Sequence, residues 1–135
     1  MKALFAILAG LMIGQSALAA PSTPFRLNTA DYNDFRNTQG PVTFVAIAKV
    51  QKKDVEAFKA VVESLVGTMR AQQGNIYYEM HQSLTDSTEF LFLEEWESGK
   101  DMADHMDSAA VKELVAKAGA MFKPGFPKFL VLKKN

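Results

Sequence analysis

The sequence predicts an α+β fold of the ferredoxin-like kind, β-α-β-β-α-β, with helices on one face of an antiparallel sheet. Three observations carry this. Segment 42–50 is β-rich and almost continuously apolar. Segments 75–83 and 88–96 are strand-like and joined by a short polar turn, so they form an antiparallel hairpin. Stretches with apolar residues at helical spacing lie between and after these strands. That order is the split βαβ arrangement.

Residues 1–19 read as a secretory signal peptide. Lys2 supplies a positive start, an apolar run follows, and Ala17 and Ala19 are the small residues before an expected cleavage after Ala19. The run is shorter than the roughly 20 residues of a membrane span. Export is therefore expected, to a periplasm. Residues 20–41 are polar and punctuated by proline and glycine, and read as an arm or linker. Phe25, Tyr32 and Phe35 make docking of that arm plausible on its chemistry. The domain proper is expected over 42–135.

Segment 42–50 reads as a central strand, because its apolarity implies burial on both faces. Asp54 is expected to cap the next helix with its carboxylate. Val55, Phe58, Val62, Leu65, Val66 and Met69 form that helix's apolar stripe, and Gly74 is expected to end it in a left-handed cap. The hairpin comes next, its turn at 85–87. Ser98 opens a short helix through Met106. Ser108 caps another, with Val111, Leu114, Val115, Ala118 and Met121 on one face, stopped by Pro124 and Gly125. Segment 126–132 is the last strand.

One layer of helices covers one side of a sheet only. Phe44, Leu91, Leu93, Val131 and their neighbours are too many to meet two helices, so the bare face calls for a cover. A second copy of the sheet is the simplest, which predicts a two-fold homodimer.

Fifteen basic and fifteen acidic residues cancel, which argues against nucleic-acid binding, where a net basic surface displaces counterions. There is no cysteine, no glycine-rich phosphate loop, no dinucleotide fingerprint and no paired-histidine zinc motif. An oxidation run here would draw on the substrate's own electrons.

His105 is the foremost titratable residue, able to take a phenolic proton as general base. Met102 and Met106 beside it favour an inward setting. The plainer alternative is a half-buried histidine satisfied by a backbone carbonyl or by Asp101; a metal site with Asp101 lacks a third ligand at a recognisable spacing. Trp96 shares a strand face with Phe90, Phe92 and Glu94. A glutamate there is costly alone, so Glu94 is expected to pair with Arg70 or Lys49, or to line a polar pocket. Tyr77 and Tyr78 point to opposite faces, so one of them reaches a given cleft. His81 reads as a surface residue.

Together these residues resemble the antibiotic biosynthesis monooxygenase family. The pattern is a helix ending at Gly74, then Tyr78-Glu79 on a strand, then Phe90 to Trp96 with Glu94, then His105. It spans roughly 42–132. The resemblance implies a dimeric α/β barrel with a cleft between sheet and helices in each subunit. It implies cofactor-free oxidation of a small aromatic quinol or phenol by dioxygen. His105 would be base or anion stabiliser, and Trp96, Tyr78, Asn75 and Glu94 would line the substrate site. Asn75 has the opposite strand parity to Tyr78 and could join only from the strand's frayed start. The haem-degrading branch places an Asn, a Trp and a His where Ala46 or Ala48, His105 and Val115 stand here, so haem degradation is not expected. The rival readings are a periplasmic binding module for a small hydrophobic ligand and a structural dimerisation domain.

Overall fold

The computed structural model describes residues 35–135; residues 1–19, expected to be a signal peptide, and Phe25 and Tyr32 lie outside the described residues. Four strands, β1 (Val42–Lys49), β2 (Asn75–Gln82), β3 (Glu89–Trp96) and β4 (Lys128–Lys133), form one sheet in the order β2-β3-β1-β4. Every pairing is antiparallel. Three helices, α1 (Val55–Arg70), α2 (Gly99–Met106) and α3 (Ala109–Ala118), supply the apolar surface that covers one face. This is the ferredoxin-like α+β fold. Among the described residues, no helix is long and apolar enough to cross a membrane.

Strict alternation in β1 and β3 builds the core. Val42, Phe44, Ala46 and Ala48 are buried on β1, as are Phe90, Phe92, Glu94 and Trp96 on β3. From α1 come Val55, Phe58, Val62, Leu65 and Met69, the expected stripe with Val66 at its margin. Phe58 meets Phe90 at 5.0 Å and Phe122 at 5.7 Å between ring centroids. Such aromatic contacts add to the burial itself.

Several expectations need correction. Phe44 and Val131 lie on the helix-covered side, since Phe44 pairs with Glu94 and Val131 across β1. The bare face carries Leu91 and Leu93 as expected, joined by Val45, Ile47, Leu130 and Leu132, the last two 57% and 46% exposed. Asp54 precedes α1 but its side chain makes no cap bond, because the chain enters through a 3-10 turn, Lys52–Asp54. Ser98 and Ser108 do cap, accepting from Asp101 N and Val111 N. The hairpin loop is wider than expected, strands ending at Gln82 and resuming at Glu89. There Ser83 and Asp86 side chains take up loop amides, and Lys49 pairs with Asp86 at 2.8 Å.

The end of α1 also differs. The helix stops at Arg70, and Gly74 sits in the turn that follows. The Asn75 amide donates to the Gln72 carbonyl, so Gly74 holds the third place of a β-turn, with φ of +77°. A Cβ at Gly74 would overlap the Asp101 side chain, so the turn presses directly on the start of α2. Gly74→Ala should therefore destabilise the domain by more than about 2 kcal/mol, from the left-handed backbone and the clash together. Urea unfolding reads this, and a loss within experimental error would refute the packing described.

The start of α2 is gripped from its other side. Phe35 is buried, Gly99 N donates to Thr38 O at 3.0 Å, and Gly99 leaves no room for a Cβ against the Phe35 carbonyl. The end of the 20–41 arm thus docks, as its aromatic content suggested.

Candidate functional site

Four of the five residues singled out converge between sheet and α2. Tyr78 comes from β2, Glu94 and Trp96 from β3, and His105 from the last turn of α2. Residues 94 and 96 face the helices because Phe90 and Phe92 do, one strand period apart. Tyr78 sits opposite Glu94 across the β2–β3 ladder, which makes Tyr78 the inward tyrosine and leaves Tyr77 on the bare face. His105 reaches the sheet because Met102, one turn earlier, is fully buried on the same helix side.

The imidazole stacks on the Trp96 ring at 4.5 Å and 26°, and the Tyr78 ring meets it at 5.8 Å. Its Nε2 lies 3.4 Å from Glu94 Oε2, which also accepts Trp96 Nε1–H at 3.0 Å. Its Nδ1 lies 2.6 Å from Oε1 of Gln72. Gln72 was not singled out in the sequence; it belongs to the turn that Gly74 presses against α2. The expected partners are elsewhere. Lys49 pairs with Asp86, Arg70 Nε donates to Tyr78 O at 2.9 Å, and Asp101 binds the Ser98 hydroxyl. Glu94 therefore has Trp96 and His105 for partners instead of a lysine or arginine. His81 is exposed and pairs with Glu79 at 3.0 Å.

Asn75 stays outside this cluster. A bulge between Asn75 and Tyr77 shifts the register, so Asn75 lies opposite Trp96. This changes the parity expected from counting along the strand. Its amide donates to the Tyr77 carbonyl at 3.1 Å. Asn75 and Tyr78 both line a groove of about 240 Å³, together with Arg70, Ile76, Tyr77 and Glu79. Tyr78 is the residue shared by the groove and the buried cluster.

Glu94 and His105 are each 3% exposed, Tyr78 is 2% exposed, and Trp96 and Met102 are fully enclosed. Burial raises the Glu94 carboxyl from 4.5 to about 8, against a smaller opposing effect of the Trp96 hydrogen bond. Burial lowers His105 from 6.5 to about 4. The 3.4 Å separation would make an ion pair if both were charged, but loss of hydration favours the neutral form of each. Tyr78 is pushed well above its ordinary range by burial and then by Glu94.

These shifts have a consequence for stability. Folded Glu94 keeps a proton that the unfolded chain loses between about pH 4.5 and 8, so its contribution falls as pH rises through that window. His105 acts in the opposite sense between about pH 4 and 6.5, where the unfolded chain holds the proton. The two offset one another up to about pH 6.5; above that Glu94 acts alone. Stability should drop between about pH 6.5 and 8 by something on the order of 1–2 kcal/mol. Urea midpoints across that interval measure it, and Glu94→Gln should flatten the change. A midpoint that climbs from pH 6.5 to 8 would be the wrong sign for a buried neutral carboxyl.

The fold is that of a small ferredoxin-like α+β domain, with a carboxyl–imidazole–indole cluster buried between sheet and helices. The family model for "Antibiotic biosynthesis monooxygenase" matches residues 41–117, and the chain belongs to that family. The Bacillus subtilis (strain 168) protein named "Putative monooxygenase YcnE" is 30% identical over 76 residues, covering 56% of this chain and 80% of that protein. Among solved structures, one from Caulobacter crescentus CB15 superposes with a TM-score of 0.69 at 23% identity, covering 78% of this chain and 98% of the other. A conserved protein from Methanosarcina mazei Go1 gives 0.67 at 22% identity, covering 72% and 95%. At these identities the structural likenesses establish the fold. A monooxygenase-like role rests on the family match and the Bacillus relative.

Proposed function

We propose that this protein is a cofactor-independent monooxygenase that oxidises a small aromatic quinol or phenol with dioxygen. The buried Glu94–His105 pair, stacked on Trp96, is the observation that supports this most. A quinol reacts with dioxygen at a useful rate only once it has lost a proton. Its electron-rich anion then passes one electron to dioxygen, and the radical pair recombines. One oxygen atom enters the product as a hydroxyquinone and the other leaves as water. The four electrons dioxygen takes all come from the substrate, two on going from quinol to quinone and two on forming the new C–O bond, and two substrate hydrogens leave in the water. The protein's part is to take the proton and to hold the resulting anion in a dry setting. His105 contacts the reacting hydroxyl, Glu94 receives charge through it, and Trp96 and Tyr78 flank the aromatic ring. Asn75 lies at the groove by which a substrate would approach Tyr78. Incubation with ¹⁸O₂ and a panel of reduced naphthoquinols and phenols, without added flavin or metal, tests this. One labelled oxygen per product is expected; hydrogen peroxide with an unlabelled quinone would make the protein an oxidase instead.

One observation favours a second reading. Trp96, Tyr78 and Met102 fill the space between sheet and α2. A domain whose cleft is permanently filled would serve as a structural dimerisation unit. Anaerobic titration with the same quinols separates the two: binding that perturbs Trp96 fluorescence belongs to the oxygenase or to a binding module, and no binding belongs to the structural unit.

In either case the bare sheet face is the proposed homodimer surface. Val45 pairs with Leu93 and Ile47 with Leu91, giving an apolar centre flanked by Leu130 and Leu132. Leu93→Arg would bury an unpaired charge there and should weaken dimerisation by about a hundredfold or more. Sedimentation equilibrium reads the association constant. An unchanged constant, or a wild type monomeric at high micromolar concentration, would remove this face as the interface. Residues 1–19 support export, for which an exported form beginning at Ala20 is the expected product on N-terminal sequencing.

A further inference from the structure

His105 is held at both ring nitrogens, and the two holds differ in kind. Nε2 faces Glu94 Oε2 at 3.4 Å, deep beneath the sheet. Nδ1 faces Gln72 Oε1 at 2.6 Å, and Gln72 is half-buried in the turn after α1. An amide oxygen accepts and cannot donate, so a contact this short puts a proton on Nδ1. A neutral imidazole has one proton, which leaves the Nε2 lone pair turned toward Glu94. That arrangement is stable only if the facing carboxyl carries a proton, as burial of Glu94 favours. The other groups around the ring leave it undisturbed. Tyr78 approaches through its ring, Trp96 gives its N–H to Glu94, and Asp101, a turn back on α2, is bonded to Ser98.

We propose that Gln72 is the positioning residue of this site. Its amide oxygen fixes His105 as the Nδ1–H tautomer and occupies the seat that a substrate oxygen takes when it binds. This rests on the reading of His105 as the group that meets the substrate hydroxyl. Glu94 closes the Nε2 side, so Nδ1 is the nitrogen that a ligand reaches by displacing one half-buried side chain. The resting site, with Nδ1–H and protonated Glu94, has no vacancy for a further proton, so Glu94 first releases its proton to solvent, which leaves the imidazole proton on Nε2 facing the carboxylate. A phenolic hydroxyl that replaces Gln72 then passes its proton to Nδ1 as the Nε2 proton returns to Glu94. The net balance is one proton released to solvent for one phenol converted to a phenolate held by Nδ1–H. The site ends in the same proton-loaded state as the resting structure, with the phenolate in place of the Gln72 oxygen. It also explains why the cluster is closed: the seat is filled from within the chain.

The chain has two histidines, and His81 is exposed, so ¹⁵N-histidine NMR resolves His105 without ambiguity. In the wild type near pH 6.5, His105 should carry its proton on Nδ1. In Gln72→Met, which keeps length and loses the acceptor, the proton should move to Nε2 at lower pH than in the wild type, because only protonated Glu94 then favours Nδ1–H. In Gln72→Glu it should stay on Nδ1, and His105 should titrate at higher pH than in the wild type. An Nε2–H wild type, or a tautomer indifferent to Gln72→Met, overturns the proposal. If Gln72→Met does not fold, the wild-type tautomer and the Gln72→Glu titration still decide it. These readings need no substrate, so they stand apart from whether oxygen uptake is catalysed. The seat itself is tested with plain phenol. Gln72→Ala should bind it about tenfold or more tighter than wild type, with the His105 Nδ1 signal displaced. Equal affinity would mean that Gln72 does not fill the seat.

Discussion

Trp96→Ala should cost the domain roughly 3–5 kcal/mol, among the largest losses any single substitution here can produce. Trp96 is fully enclosed, at the end of a central strand, stacked on His105 and bonded to Glu94. Truncation removes an indole from the core and leaves a void. It also strips Glu94 of its one indole donor while the carboxyl stays buried. Trp96→Phe separates these effects in part, because it keeps a six-membered ring in the core while losing the N–H and the rest of the indole. It should cost less than Trp96→Ala, about 1–3 kcal/mol, from the orphaned acceptor and a smaller void together. Denaturant unfolding near pH 6.5 gives both values. A Trp96→Ala loss under about 1 kcal/mol would mean that the indole does not pack as described.

His105→Ala should lower catalysed turnover by about 10²–10⁴-fold, the usual worth of a positioned acid–base group. In the proposed mechanism the effect is concentrated in this one residue. His105 links the buried carboxyl of Glu94 to the seat at Gln72, and among the described residues near that seat no other imidazole is present. His81→Ala is the matched control. It lies on the bare side of β2 beside Glu79 and should leave turnover unchanged. Because the substitution also opens a void under Trp96, stability of His105→Ala is measured alongside its rate, and His105→Gln supplies a fuller side chain with no base.

The fold was legible because its signals are local or strictly periodic. Alternation in Glu89–Trp96 put Phe90, Phe92, Glu94 and Trp96 on one side of the sheet before any partner was known. Helical spacing in Val55–Arg70 did the same for Phe58, Val62 and Met69. Serine caps at 98 and 108 marked two helix starts through a bond three residues long. What stayed hidden depended on contacts distant in sequence or on a break in period. Gln72 meets His105 across 33 residues, and nothing in Gln-Gln-Gly distinguishes it from an ordinary solvated helix end. The bulge before Tyr77 reversed the face assigned to Asn75, because counting by twos fails at an inserted residue. Glu94 was recognised as needing a partner, yet the natural candidates, Lys49 and Arg70, are taken by Asp86 and by the Tyr78 carbonyl. Its actual partner is His105, for which the sequence alone suggests a separate role as a base. The two puzzles solved each other only in three dimensions.

The proposed function rests on that pairing, by which a buried carboxyl would take a substrate proton through an imidazole without a cofactor. Oxygen uptake by purified protein with a panel of reduced naphthoquinols, corrected for uncatalysed oxidation, tests it most directly when wild type and His105→Ala are run side by side near pH 8. The expected result is uptake well above background in the wild type, without added flavin or metal, and a fall of about a hundredfold or more in the variant. Wild-type uptake no faster than background, or equal rates in the two proteins, would contradict it.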